Sequence, residues 1–295
     1  MSQNNKAILA MLLAACLFCI MGMFVKVLSP NMPVIEVAFA RNLFGFLWIF
    51  IALLLNPPKN KQGGKPFVLF FRGFAGGSAM MAYFYNMSVM PLGLAFSFSY
   101  TSPIFLALIS AIFIHDKVSL KLWIALFIGF FGILLISNPA SGDLSVVGFI
   151  IGIYSGVGAA LAYLSIAKLA HFYDQRIIIG SLMFSGTLLP LLTLLVPYES
   201  YPIALFEPFI MPNLKEWILL LGLGVVSTYA QIYLTKAYGM GNPPLIGAIS
   251  YVSIFLATLA GIILGDALPS FFVILGMLLI ALSGILAVLS KKLSK

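Results

Sequence analysis

Charged residues are scarce in this sequence. Asp, Glu, Lys and Arg together make up 8% of its 295 residues, whereas hydrophobic residues make up 62%. An ordinary soluble domain carries about 25% charged residues, so this composition cannot cover a surface that faces water. Lipid is the alternative solvent, and there about 20 consecutive apolar residues in a helix cross the hydrocarbon layer. We therefore predict an all-α membrane protein.

Cysteine and histidine are also rare, with two of each. Cys16 and Cys19 form a C-x-x-C pair, a spacing that can serve redox chemistry or form half of a zinc site. No second pair exists and no histidine lies near, so we interpret both as packing residues within a membrane helix. The sequence also contains no G-x-x-x-x-G-K loop for nucleotides and no cluster with metal-ligand spacing. We expect no metal, no cofactor and no ATP hydrolysis.

Ten apolar runs are long enough to cross a bilayer, and proline, asparagine and glycine mark the breaks between them. The runs are 7–28, 33–55, 66–89, 92–114, 119–137, 145–167, 176–196, 214–238, 244–264 and 269–290. The first run follows Lys6 and is too long for the apolar core of a signal peptide. We therefore predict that it is retained as the first span.

The lysines and arginines of the loops predict how these spans are oriented, because cytoplasmic loops are enriched in both. With the N-terminus inside, the loop cations lie on the inner side, apart from Lys26 and Lys215 near outer ends. The net charge of +8 is then a signal of topology, and we expect no nucleic-acid partner. Both termini are predicted to be cytoplasmic.

One stretch of the chain occurs twice. Residues 99–107 are SYTSPIFLA and residues 250–257 are SYVSIFLA, with Pro103 the residue missing from the second copy. The match continues to Asp116, which corresponds to Asp266. The repeat divides the chain into residues 1–140 and 141–295, with five predicted spans in each half. Because five is an odd number, the second half would enter the membrane inverted, a recurrent plan of secondary transporters with a substrate site near the midplane.

Several of these residues together resemble the EamA pattern of the drug/metabolite transporter superfamily. The resemblance rests on Glu36, Arg41, Arg72-Gly73, Tyr83 to Asn86, Pro91-Leu92-Gly93, Tyr100-Thr101-Ser102-Pro103 and the apolar run to Asp116. It covers essentially the whole chain as two EamA units, although the family pattern usually has glutamate at Asp116 and Asp266. The second unit lacks the arginine and the proline within the helix.

The resemblance implies a ten-helix carrier of small polar organic metabolites in a bacterial inner membrane. Members of the family often export amino acids or related compounds, and others take up S-adenosylmethionine. The resemblance therefore implies transport without naming the substrate.

Arg41 is the first candidate for substrate binding, since a charge deep in a span costs about 2.5–3.5 kcal/mol on insertion scales. It lies roughly 12 Å deep at 1.5 Å per residue, and Asn42 follows it. A guanidinium group there can hold a carboxylate or a phosphate. The alternative is a structural arginine tied to Glu36 or to loop carbonyls.

Arg72 is the second candidate and lies six residues into the third predicted span. Its long side chain can extend back to the inner headgroups. Alternatively, it begins a polar face with Tyr83 and Asn86, which follow at helical spacing.

The repeat also relates tyrosines that would flank a central cavity. The pairs are Tyr83 with Tyr233 and Tyr100 with Tyr251. Gln231 supplies hydrogen bonds nearby, and Tyr163 is a weaker candidate. For each of these residues, hydrogen bonding between helices is the alternative role. Pro103 frees a backbone carbonyl within its span and is a candidate hinge.

No predicted span carries an acidic residue near its centre. Glu36, close to an outer end, is the deepest acid and the candidate for ion coupling. A carrier of cations or a proton relay normally needs a buried carboxylate, so we favour export or exchange of an anionic or zwitterionic metabolite.

The hypothesis is a secondary transporter of a carboxylate-bearing metabolite, such as an amino acid or organic acid, in the inner membrane. Its partners would be the substrate and the lipid bilayer, and a homodimer stays open. One alternative is a carrier of a nucleotide-like or cationic metabolite such as S-adenosylmethionine. Another is a multi-span membrane enzyme, for which His115-Asp116 is the one pair of suitable residues.

Overall fold

The structure, a computed structural model, describes residues 3–58, 63–89, 92–109, 112, 119–137, 146–196, 199, 206–264 and 270–292. The regular elements of this part of the chain are helices. They are α1 (Gln3–Leu28), α2 (Val34–Leu55), α3 (Pro66–Val89), α4 (Leu92–Ser99), α5 (Ser102–Ile109), α6 (Leu120–Ser137), α7 (Val146–Leu169), α8 (Gln175–Thr193), α9 (Leu214–Met240), α10 (Pro243–Ser250), α11 (Val252–Ile263) and α12 (Phe271–Lys292).

Eight of the ten predicted apolar runs each correspond to one helix. The run 92–114 is instead broken into α4 and α5, and the run 244–264 is broken into α10 and α11. The breaks fall at Tyr100-Thr101 and at Tyr251, which are equivalent positions in the two copies of the repeated stretch. Asp116 and Asp266, the downstream end of the repeat, lie outside the described residues.

Three of the helices begin at residues whose side chains accept hydrogen bonds from free backbone N–H groups. Asp174 accepts from the N–H of Arg176 at 2.8 Å before α8. Asn213 and Glu216 form a reciprocal capping box before α9. Asn242 caps α10, whose first residue is proline. The same short loops that end one apolar run therefore start the next helix.

The outer surface of the helices is apolar. Leu55, Phe67 and Leu120 are each at least 75% exposed, an arrangement that water would penalise and lipid does not. Within the described residues, seven helical segments are long and apolar enough to cross a membrane. We conclude that this is an all-helical, multi-pass membrane protein.

Glycines let the helices approach closely, as small residues do at membrane interfaces. A Cβ on Gly156 of α7 would lie 2.8 Å from the carbonyl oxygen of Phe98 and would also meet the Thr101 hydroxyl. A Cβ on Gly158 would lie 2.8 Å from that of Ala79. Helix α7 therefore packs directly against α3 and against the break between α4 and α5.

Candidate functional site

A cavity lies among the helices. Its walls come from α1 to α5 and α7 to α11. The polar residues that line it are Arg41, Arg72, Tyr83, Ser99, Tyr100, Ser102, Tyr163, Gln231, Tyr238, Ser250 and Ser253. Methionines and small residues, including Met11, Met21, Met80, Gly76 and Ala79, complete the lining.

Arg41 reaches this cavity from α2 and is 2% exposed. Its Nη1 donates to the Oδ1 of Asn42 at 3.2 Å and contacts the Sδ of Met80. A thioether is a weak acceptor, and the Nε of Arg41 has no hydrogen-bond partner among the described residues. The expected alternative, a structural pair with Glu36, is not what the geometry shows, because the carboxylate of Glu36 binds elsewhere.

Arg72 reaches the same cavity from α3 and is 1% exposed. Its Nη1 lies against Gly76, one turn further into the helix, in the space that a Cβ would fill. The side chain thus runs away from the nearer helix end, and it does not extend to the headgroups. In the part of the chain that the structure describes, its Nε and Nη2 have no hydrogen-bond partners.

Aromatic rings surround the two guanidinium groups. The ring of Tyr163 stacks on that of Tyr238, with centroids 4.7 Å apart and planes at 15°. Tyr163 lines the same cavity as both arginines. Opposite, Tyr83 meets Phe96 edge to face at 5.2 Å, and Phe96 stacks on Tyr100 at 6.0 Å. The tyrosines of both groups line the cavity with the arginines.

Both helix breaks border the cavity. Ser99, Tyr100 and Ser102 line it from the first break, and Ser250 and Ser253 line it from the second. A side-chain hydrogen bond links Tyr100 with Ser253 and so joins the two breaks. A movement at either break would therefore change the shape of the cavity.

The two asparagines predicted for the site lie beside the cavity without lining it. Asn42 is fully buried, donates to the carbonyl of Ala38 at 2.7 Å and packs against Gly186 of α8. Its role in the structure is to hold α2 against α8 and to accept from Arg41. Asn86 is also fully buried, and neither atom of its amide has a partner among the described residues.

The repeat mates of the cavity tyrosines do not share their position. Tyr233 is half-buried and packs against the hydrophobic core. Tyr251 is fully buried, and its ring fills the space over Gly129 of α6.

Pro103 lies in the first turn of α5, directly after the break, and packs against Gly247 of α10. Pro103 is thus positioned to fix the direction in which α5 leaves the break.

Glu36 lies near the start of α2 and is 6% exposed. Its Oε2 accepts from the N–H of Ile210 at 2.8 Å, and Phe39 contacts Phe209 with ring centroids 5.3 Å apart. These contacts attach the segment before α9 to α2. Glu36 does not line the cavity.

Tyr238 lines the cavity although the sequence analysis did not select it. It is 1% exposed, and its hydroxyl has no partner within the described chain. Gln231 and Tyr238 are seven residues apart, or two helical turns, so they share one face of α9. Helical periodicity counted from Gln231 would have found Tyr238, whereas the repeat pointed to Tyr233, which lies on another face.

The chemistry of this cavity suits an anion. Arg41 and Arg72 provide the formal charges of its described lining, which contains no Asp, Glu or Lys. Two buried guanidinium groups with free N–H donors present the geometry that carboxylates and phosphates bind. Phenol, hydroxyl and amide groups supply further hydrogen bonds.

Comparison with known proteins identifies transporters that are similar to this chain. Residues 5–138 match the EamA-like transporter family. An uncharacterized transporter of Helicobacter pylori is 33% identical over 282 residues, which cover 94% of this chain and 93% of that protein. The pseudopaline exporter CntI of Pseudomonas aeruginosa is 28% identical over 289 residues, or 98% of each chain. The S-adenosylmethionine uptake transporter of Rickettsia felis is 21% identical over 269 residues, covering 90% of this chain and 87% of that protein.

Proposed function

Since this chain belongs to the EamA-like transporter family, we propose that it is a secondary transporter of a small organic metabolite that carries an acidic group. The substrate would bind in the central cavity, with Arg41 holding the acidic group and Tyr83, Tyr100 and Gln231 contacting the remainder. Access to the cavity would alternate between the two sides of the membrane. We propose that the protein exports or exchanges its substrate. The relative CntI is named as an exporter.

The observation that carries the proposal is the position of Arg41. A charged group at 2% exposure in a membrane protein is costly, and the hydrogen bonds of Arg41 go to an amide oxygen and a thioether. Neither group neutralises the charge. An anionic substrate would do so, whereas a purely structural arginine would be expected to have a carboxylate or several carbonyls around it.

We further propose ten spans in two inverted repeats, with both termini in the cytoplasm of a cell whose inner membrane holds the protein. The contacts between helices support the repeat, because many of them recur when α1, α2, α3, α4–α5 and α6 are exchanged with α7, α8, α9, α10–α11 and α12. The matching contacts are α1–α9 with α7–α3, α3–α8 with α9–α2, α5–α7 with α11–α1, α4–α7 with α10–α1, and α2–α3 with α8–α9. Such symmetry gives a carrier two related conformations.

The experiment is a thermal-shift screen of the purified protein in detergent. The panel holds amino acids, organic acids, sugar phosphates, nucleotides and organic cations, because a ligand that binds the folded state raises the melting temperature by mass action. We expect stabilisation by anionic compounds that is lost in Arg41→Ala and kept in Arg176→Ala, whose arginine lies outside the cavity. Normal ligand binding by Arg41→Ala would refute the role of Arg41.

A second candidate is uptake of a cationic or nucleotide-like metabolite, which the S-adenosylmethionine transporter of Rickettsia felis favours. The tyrosine rings could bind a cation through their faces. Stabilisation by S-adenosylmethionine and by organic cations, with no response to simple organic acids, would select this candidate.

A further inference from the structure

Both guanidinium groups contact residues on one face of α3. The Nη1 of Arg72 rests against Gly76, and the Nη1 of Arg41 contacts the Sδ of Met80. Gly76 and Met80 are four residues apart, so they share a helix face. Arg41 comes from α2 and Arg72 from α3, and the cavity lies between them.

Both guanidinium groups keep donors that nothing in the described chain uses. The Nε of Arg41 and the Nε and Nη2 of Arg72 are buried without hydrogen-bond partners. Tyr163 lines the same cavity as both arginines, but a neutral phenol does not cancel two positive charges. A buried polar or charged donor without a partner is costly.

A ligand with a single carboxylate cannot neutralise both arginines. It can neutralise Arg41 or bridge to Arg72, but one positive charge then stays uncompensated in the described lining, which contains no acidic residue. A ligand with an additional ammonium group makes the imbalance worse. A ligand with two acidic groups compensates both arginines at once.

We propose that the substrate is a short dianion whose two acidic groups are held separately, one by Arg41 and one by Arg72. This proposal rests on the proposed transport function and narrows it from any acidic metabolite to the class of short dicarboxylates. The stacked rings of Tyr163 and Tyr238 border the carbon chain that joins them.

The first test uses the unmodified protein in detergent and needs no variant. The melting temperature is measured against concentration for malonate, succinate, glutarate and suberate, and for the monomethyl ester of each acid. We expect the best diacid to bind about tenfold or more tightly than its own monoester, since an ester removes one charged acceptor. Affinity should fall for acids too short or too long to reach both arginines.

The second test uses Arg72→Gln and Arg41→Gln, with Arg176→Gln as the matched control. Arg176 binds the carbonyls of Ala52 and Asn56 outside the cavity, so its variant also loses one arginine but keeps both cavity charges. We expect each cavity variant to bind diacid and monoester almost equally. The control should retain the preference of the unmodified protein.

The outcomes separate this proposal from the transport function. Equal affinity of diacid and monoester in the unmodified protein would overturn the dianion proposal, even if both cavity variants fail to fold. Tighter binding and proteoliposome transport of an amino acid or a cation would also overturn it, and would leave the transport function intact. Selective diacid binding without transport of any tested compound in proteoliposomes would instead refute the transport function and leave the dianion-binding site standing.

Discussion

Substituting alanine for Gly73 tests the packing that holds Arg72 in the cavity. A Cβ at this position would lie 2.5 Å from the carbonyl oxygen of Ser181 in α8 and 3.1 Å from its carbonyl carbon. A backbone carbonyl cannot rotate away as a flexible side chain can, so α3 and α8 must separate. Overpacking of this kind costs about 1–3 kcal/mol.

Gly180 offers a matched control on the opposing helix. It is also a buried glycine within a helix, but the nearest atom to an added Cβ is the Cγ2 of Ile49 at 3.6 Å, an ordinary contact. Alanine is favoured over glycine within a helix by up to about 1 kcal/mol. Gly180→Ala should therefore leave stability unchanged or raise it.

Thermal unfolding in detergent compares the two variants. At roughly 2–4 °C per kcal/mol, the value for chains of 150–250 residues, Gly73→Ala should melt several degrees below the unmodified protein. Because Arg72 directly precedes Gly73, the same variant should lose part of its ligand-induced stabilisation. If Gly73→Ala melts at or above Gly180→Ala, α3 and α8 are not in contact at Gly73 and the position of Arg72 loses its support.

Two further predictions concern contacts between helices. Glu36→Ala should speed cleavage by chymotrypsin before α9, because the N–H of Ile210 loses its acceptor. Glu36→Gln keeps an amide oxygen that can accept from this N–H, so it should resist cleavage. Equal cleavage of both variants would refute this. Tyr100→Phe and Ser253→Ala should each lower stability by about 0.5–1.5 kcal/mol, and the double variant should be no worse than either, because both remove one hydrogen bond. Additive losses in thermal unfolding would show that the bond does not form.

The sequence predicts the approximate limits of eight of the described helices, because lipid imposes a simple rule of length and apolarity on each span. The breaks at Tyr100 and Tyr251 are a different matter. Pro103 follows the first break and suits the first turn of a helix, but the second copy has no proline and is broken as well. A proline is therefore not what the two breaks have in common, and a run of apolar residues alone does not reveal either of them.

The tyrosines show how far a repeat can predict a site. Equivalent positions in two copies receive equivalent backbone environments, but each side chain meets the residues of the other copy. Tyr100 meets Ser253 at the cavity, whereas Tyr251 meets a glycine of α6. The two helix breaks fall at equivalent positions of the repeat although both runs were predicted to be continuous, and the repeat predicts too much symmetry for the side chains around them.

Arg72 illustrates why the chemistry of the cavity depends on more than one span. Considered alone, α3 favours a side chain that turns back towards the headgroups, because helical side chains point towards the N-terminus and a charge seeks water. Gly76 opens a path in the other direction, since any Cβ there would occupy the place of the guanidinium group. Helices α2 and α7 then bring Arg41 and Tyr163 to the same space. Burying two cations therefore costs this fold stability. An anion that neutralises them would stabilise the folded protein when it binds.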